Sequence, residues 1–279
     1  MMRASQLWPD PRALDPQRPV LVLLHGFTGG AAVWHDVVAQ LGDAFACIAL
    51  DLPGHGSNPC ENLPGAFSFD GVCDLIATWL DQLSTPRVAL WGYSMGGRIA
   101  LQFALRHPDR LSHLVLESAS PGIVDPAERA SRWAADQKLA ERILEIGVES
   151  FAEEWMAQAL FASQQAIPAE RREKARRIRV ANTAQGLASA LKGFSVGRQA
   201  PLHVRLGELR MPVLLAAGEF DPKYRVFSEQ MVRSIPESQL RIIPGAGHAP
   251  HWENPAAIAA CVKSFLQADM PSSKGRVTR

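Results

Sequence analysis

Seven residues constrain what this chain can fold into. Trp91-Gly92-Tyr93-Ser94-Met95-Gly96-Gly97 closes an apolar run over 87–90 and opens a helix-like run over 98–104, so it reads as strand, sharp turn, helix. Ser94 lies at the centre of a G-x-S-x-G pattern. Without β-carbons at Gly92 and Gly96, strand and helix approach closely enough to strain the serine and lift its hydroxyl above the sheet edge. Alone, the pattern is also that of a glycine-rich turn with a bystander serine, and the surrounding elements decide between the two.

Those elements alternate. Residues 19–24 form a near-continuous Val/Leu run, as expected of a strand buried on both faces, and end in His25-Gly26-Phe27-Thr28-Gly29-Gly30. Helical spacing over 31–41 leads to a strand over 45–50 and a Gly- and Pro-rich loop over 51–57. Val72, Leu75, Ile76, Trp79, Leu80 and Leu83 give 69–83 an amphipathic helical face, and a further strand follows Ser94 over 113–117. Strands alternating with helices at this spacing predict an α/β fold, a parallel sheet covered by helices on both faces with functional groups at the strands' carboxyl ends.

From 121 to about 206 no strand-like run occurs, only helical patterns over 128–146, 151–161 and 169–180. A helical insertion over the top edge of the sheet is therefore expected. The sheet resumes over 212–217, followed by Gly218-Glu219-Phe220-Asp221, a helix over 225–234, a strand over 240–243, Gly245-Ala246-Gly247-His248 and a last helix over 255–267. The implied division is an N-terminal extension 1–18, a core 19–120 and 207–268, a helical cap 121–206, and a basic, disordered tail 269–279.

Composition excludes several classes of function. With 279 residues, 47% hydrophobic residues and a net charge of +1, the chain lacks the cationic excess from which a general nucleic-acid or membrane-surface binder gains affinity. Cys47, Cys60, Cys73 and Cys261 are dispersed without C-x-x-C spacing, and the histidines show no ligand spacing, so neither metal nor disulfide framework is indicated. Neither a signal-peptide-like stretch nor a run of about 18 apolar residues is present, and a cytoplasmic protein is expected. The sequence is compatible with a homo-oligomer without specifying one.

The chemistry lies at three strand ends, in the order Ser94, Asp221, His248. A serine hydroxyl needs an imidazole to take its proton, and the imidazole needs a carboxylate to hold its tautomer. Taken singly, His248 is a turn histidine and Asp221 a helix cap; jointly with the Ser94 turn they read as a catalytic set. The backbone amides of Phe27 and Met95 are the expected oxyanion hole. His25 and His55, each beside a glycine in a tight loop, read as structural. His35, His107, His113, His203 and His251 show no partner pattern. Arg98, four residues after Ser94 in the first turn of its helix, opposes the helix dipole and calls for an anion, either a core carboxylate or a ligand. Arg129, Arg132 and the basic run 171–179 add cations, mostly a solvated face, of which one or two projecting over Ser94 would suit a carboxylate.

Through HGFTGG, DLPGHG, GYSMGGR, GEFD and GAGH the chain resembles the α/β-hydrolase superfamily over almost its whole length. Within it, YSMGGR, Pro121-Gly122 ahead of Arg129 and Arg132, Phe161-Ala162-Ser163, GEFDPK, and Gly247-His248 with Glu253-Asn254-Pro255 resemble the 2-succinyl-6-hydroxy-2,4-cyclohexadiene-1-carboxylate synthases of menaquinone and phylloquinone biosynthesis. The resemblance implies a cofactor-independent lyase that eliminates pyruvate from a polycarboxylate. Ser94, activated by His248 and Asp221, would serve as base. Arg98 and Arg132 map onto the family's carboxylate binders, a third arginine falls on Arg177 or Arg179, and Tyr93 and Trp155 would line the cavity. A serine carboxylesterase or C–C bond hydrolase, and a receptor using the same fold, are the competing readings.

Overall fold

The structure is a computed structural model that describes residues 4–8, 18–58, 65–83 and 85–268. Seven strands form one sheet in the order β1-β3-β2-β4-β5-β6-β7: β1 (Ala4–Trp8), β2 (Val20–Leu24), β3 (Ala46–Leu50), β4 (Val88–Tyr93), β5 (Leu111–Glu117), β6 (Val213–Gly218) and β7 (Ser238–Ile243). All pairings are parallel except that of β1 with β3. β1 lies within the N-terminal extension 1–18, where the sequence predicts no strand. Its five residues gain their order from backbone pairing with an existing edge, which no periodicity in so short a segment announces. The rest of the extension and the whole of the tail fall outside the described residues.

Successive residues of a strand face opposite sides, which explains the unbroken apolar runs. Val22 and Leu24 pack with Val72, Ile76, Ile99 and Phe103 of α2 (Phe69–Leu80) and α3 (Met95–Arg106). Leu21 and Leu23 face the other way, onto Val37 and Leu41 of α1 (His35–Leu41) and Ile258 and Val262 of α9 (Pro255–Gln267). Each such fully buried side chain contributes about 1.5–3 kcal/mol of transfer free energy. The chain reverses its direction across the sheet between β2 and β4, and the crevice at that reversal holds the loops that follow both strands.

The insertion is helical, as expected, with differences in detail. A single element, α4 (Pro126–Met156), replaces the first two expected helices and turns a corner at Gly147, whose φ of +77° only glycine takes up readily. A 3-10 segment (Ala159–Ala166), α5 (Ala169–Val180) and α6 (Ala184–Gly193) follow, the last not foreseen. Ala140, Ile143, Phe151, Leu187, Ala188 and Leu191 form a core of the cap's own, against which Phe27 packs from below. The short α8 (Pro250–Glu253) follows β7, and α7 (Pro222–Val232) follows β6. No helix among the described residues is long and apolar enough to cross a membrane.

Candidate active site

Residues from the ends of β4, β6 and β7 meet above the sheet. Ser94 links β4 to α3 with φ +51° and ψ −109°, a region that non-glycine residues rarely enter. The turn leaves no room for side chains on either flank: a β-carbon at Gly92 would meet the backbone of Gly96 and Gly97, and one at Gly96 the carbonyls of Leu24 and His25. Two other non-glycine residues with positive φ, Thr28 and Ser118, stand beyond the ends of the adjacent β2 and β5, so backbone strain gathers along one edge of the sheet.

Ser94 Oγ lies 3.1 Å from His248 Nε2, and His248 Nδ1 donates to Asp221 Oδ2 at 2.7 Å. With a carboxylate on Nδ1, the proton of the neutral ring sits there and the Nε2 lone pair faces the serine. Asp221 and His248 are 4% and 2% exposed, so their interaction is little screened by water. The second Asp221 oxygen accepts the Tyr224 amide and caps α7, while Glu253 accepts the amides of Gly247 and Ala249 and pins both neighbours of His248. Phe27 and Met95 border the same space as Ser94, and Met95 is the first residue of α3, where helix geometry gives the amide no intrahelical partner. A hydroxyl so placed can act as a nucleophile or, toward an acidic C–H bond, as a base.

Above it lies a cavity of about 400 Å³, roofed by the cap, whose lining includes Tyr93, Arg98, Arg132 and Trp155. Arg98 is half-buried and, among the described residues, meets no carboxylate: its guanidinium donates to the Phe194 carbonyl at 2.8 Å and to Gln199 Oε1 at 3.4 Å. Burial pulls its pKa down to about 10, with Arg132 adding to the effect and Tyr224 and Asp136 opposing it. Arg132 donates through Nε to Asp136, a buried acid that also accepts from Ser195 Oγ, and this grip fixes the guanidinium at the cavity wall. Arg177 is exposed beside Glu173, whereas Arg179 is half-buried. Arg179 lines a separate cavity of about 30 Å³ that shares Phe27, Tyr93 and Phe161 with the larger one, and among the described residues its Nε has no hydrogen-bond partner.

Arg129, Arg171 and Lys174 do not line this cavity. Arg129 donates to the carbonyls of Ile123 and Val124, and Arg171 and Lys174 reach Asp36 on α1, tying α5 to the core rather than forming only a solvated face. His25 and His55 are structural, as expected. The Leu52 amide donates to His25 Nε2 and the Thr28 amide to His55 Nε2, joining the loops after β2 and β3; burial lowers both pKa values, that of His55 to about 3.

His251, for which no partner was foreseen, has one. Its amide and its Nδ1 both donate to Glu117 Oε1, at 2.8 and 2.7 Å, while Trp91 Nε1 donates to Glu117 Oε2 at 2.9 Å. Tyr93 lies against the rings of both His251 and His248. The available signal was Glu117 itself, a carboxylate closing the apolar run 114–116, which must find donors there. Lys223, Tyr224 and Phe227 of α7 also border the cavity and were not singled out; their spacing after Asp221 carries the first turns of α7 across the site. Among the described residues, no group of three His, Cys, Asp or Glu side chains could hold a metal ion.

A family profile described as "alpha/beta hydrolase fold" matches residues 19–255. The 2-succinyl-6-hydroxy-2,4-cyclohexadiene-1-carboxylate synthase of Enterobacter sp. (strain 638) is 36% identical over 92% of this chain and 95% of its own. Among solved structures, MenH from S. aureus aligns with a TM-score of 0.85 at 34% identity, covering 90% of this chain and 94% of that one. A thermophilic esterase from Thermogutta terrifontis, with malate bound, aligns with a TM-score of 0.79 at 29% identity, over 90% of each chain. The strained serine, its two partners and likeness along nearly the whole length agree: the chain belongs to the α/β-hydrolase fold family and, within it, to the family of 2-succinyl-6-hydroxy-2,4-cyclohexadiene-1-carboxylate synthases.

Proposed function

We propose that this protein is a lyase that eliminates pyruvate from 2-succinyl-5-enolpyruvyl-6-hydroxy-3-cyclohexene-1-carboxylate to give 2-succinyl-6-hydroxy-2,4-cyclohexadiene-1-carboxylate, a step of menaquinone or phylloquinone biosynthesis. The observation that carries this reading is Arg98: a half-buried guanidinium on the cavity wall, one helical turn from Ser94, with no carboxylate among the described residues in hydrogen-bond contact with it. A polyanionic substrate supplies that charge. Arg132, oriented by Asp136, offers a second fork to the same ligand, and Tyr93 and Trp155 supply apolar walls. Arg179, behind Tyr93 and Phe161, is the third cation of the proposal.

In the reaction, His248 draws the proton from Ser94 Oγ, with Asp221 stabilising the charge that develops on the imidazole. Ser94 then removes the proton beside the succinyl ketone, and the amides of Phe27 and Met95 stabilise the enolate oxygen. The ring C–O bond breaks, the electron pair leaves with enolpyruvate, and protonation of that fragment at carbon yields pyruvate. Only side chains and backbone amides take part. The dispersed free thiols Cys47, Cys73 and Cys261 support a cytoplasmic setting as part of the same proposal.

Incubation with the substrate, coupled to lactate dehydrogenase, is expected to consume NADH in step with substrate, and no pyruvate above blank would end the lyase reading. The esterase likeness supports carboxylester hydrolysis as a second reading, since the same serine can attack an acyl carbon. Turnover of p-nitrophenyl acetate far above background, together with absent pyruvate release, would favour it.

A further inference from the structure

Tyr224 stands three residues beyond Asp221, where the first turn of α7 carries it over the site. Its amide donates to Asp221 Oδ1 at 3.2 Å, and its ring packs on the His248 imidazole, with centroids 4.5 Å apart, and on Phe227. The ring is therefore held from two sides, and the residue borders the main cavity. Among the described residues its hydroxyl has no hydrogen-bond partner. A part-buried phenol in that state keeps its donor open to a ligand or to water.

The surroundings select the ligand. Arg98 and Arg132 are the cations whose fields act on the phenol, and burial holds its pKa above the ordinary value, so it keeps its proton and remains a donor. A group that accepts from a phenol while facing two guanidiniums is an anion. Arg98 has a carbonyl and an amide as partners, and Arg132 spends one nitrogen on Asp136. Both forks thus retain donors for the same anion.

The geometry points to the Tyr224 hydroxyl as a further substrate-binding group, one that donates to the carboxylate neutralised by Arg98 and Arg132 and fixes its orientation above Ser94. This inference rests on the carboxylate-binding part of the proposed function and adds to it a neutral donor from α7, an element that carries neither arginine. Because the phenol also lies on His248, the test must separate ligand binding from support of the imidazole.

Tyr224→Phe keeps the ring and the backbone cap and removes only the oxygen. Two measurements apply: steady-state pyruvate release, and calorimetric binding of succinate, a dicarboxylate probe that needs no turnover. The expected result is that KM for the substrate and Kd for succinate both rise about ten-fold or more, the loss of one hydrogen bond to a charged group, while kcat falls less and the melting temperature is unchanged. The inference is overturned if KM and the succinate Kd stay within about two-fold of wild type. It is equally overturned if kcat alone falls, which would make Tyr224 a support for His248, or if the wild-type protein does not bind succinate. Wild-type protein that binds succinate but releases no pyruvate would sink the lyase reading while the succinate comparison still decides the role of Tyr224.

Discussion

An arginine in the first turn of a helix opposes the helix dipole, and Arg98 does so while half-buried, with a carbonyl and an amide where a carboxylate would be expected. Its pKa of about 10 reflects burial that no anion of the protein offsets in full. Arg98→Ala is therefore expected to lower kcat/KM by about 100-fold or more, by removal of a desolvated charge partner of the substrate. The melting temperature should shift by less than about 4 °C. Circular-dichroism melting beside the coupled assay checks this, and a parallel collapse of both would assign Arg98 to structure. Spacing alone marked Arg98, because a residue four positions after Ser94 shares its helix face. The choice between Arg177 and Arg179 was not legible. Two residues apart on one helix, they point to different sides, and only the packing of α5 decides which side is buried.

Elements ending at one edge of the sheet place the chemistry, and the loops between them are held by buried histidines. His55 stays neutral in the fold down to a pH of about 3, whereas in the unfolded chain it titrates near its ordinary value of 6.5. Below that ordinary value the unfolded state binds the extra proton, so stability present at neutral pH is lost as pH falls toward 3, by at most about 1.4 kcal/mol per pH unit for each such histidine. His25, lowered for the same reason, adds to the slope. His55→Gln is expected to lower the melting temperature at pH 7 but to flatten its decline on acidification. Melting curves between about pH 7 and 4 measure both, and an unaltered slope would remove His55 from the account. The strands β2 to β7 and the longer helices of the core were legible because such elements repeat their pattern, whereas the four-residue α8 is too short to do so. By contrast β1 and the corner at Gly147 rest on edge pairing and on a single backbone angle, neither of which leaves a period in the sequence, while α6 is a ten-residue helix whose short apolar face, Leu187, Ala188 and Leu191, packs within the cap.

Across the whole molecule, cap and core meet at Asn182, buried at the corner between α5 and α6. Its side-chain amide donates to the Thr28 carbonyl at 3.0 Å and to Arg179 O at 2.9 Å, and its oxygen accepts from the Gly56 amide at 2.8 Å. One side chain thus fastens the loop after β2, the loop after β3 and the end of the helix that carries Arg179. Asn182→Ala is expected to cost about 1–3 kcal/mol, since buried partners lose their bonds. It should also speed hydrogen exchange at the Gly56 amide and in α5 together, read by mass spectrometry, whereas faster exchange in the cap alone would argue against the latch. The sequence by itself determined the strand–turn–helix at Ser94, the alternation that makes the sheet parallel, and the chain order of serine, acid and histidine. Each of these follows from local backbone geometry or from a repeating burial pattern. Only the tertiary structure decided that Glu117 meets His251, that Arg179 lies behind Tyr93, and that Tyr224 overlooks the serine. Those contacts join residues from separate elements, and their existence depends on how helices rotate and pack, a property that no local stretch of sequence encodes.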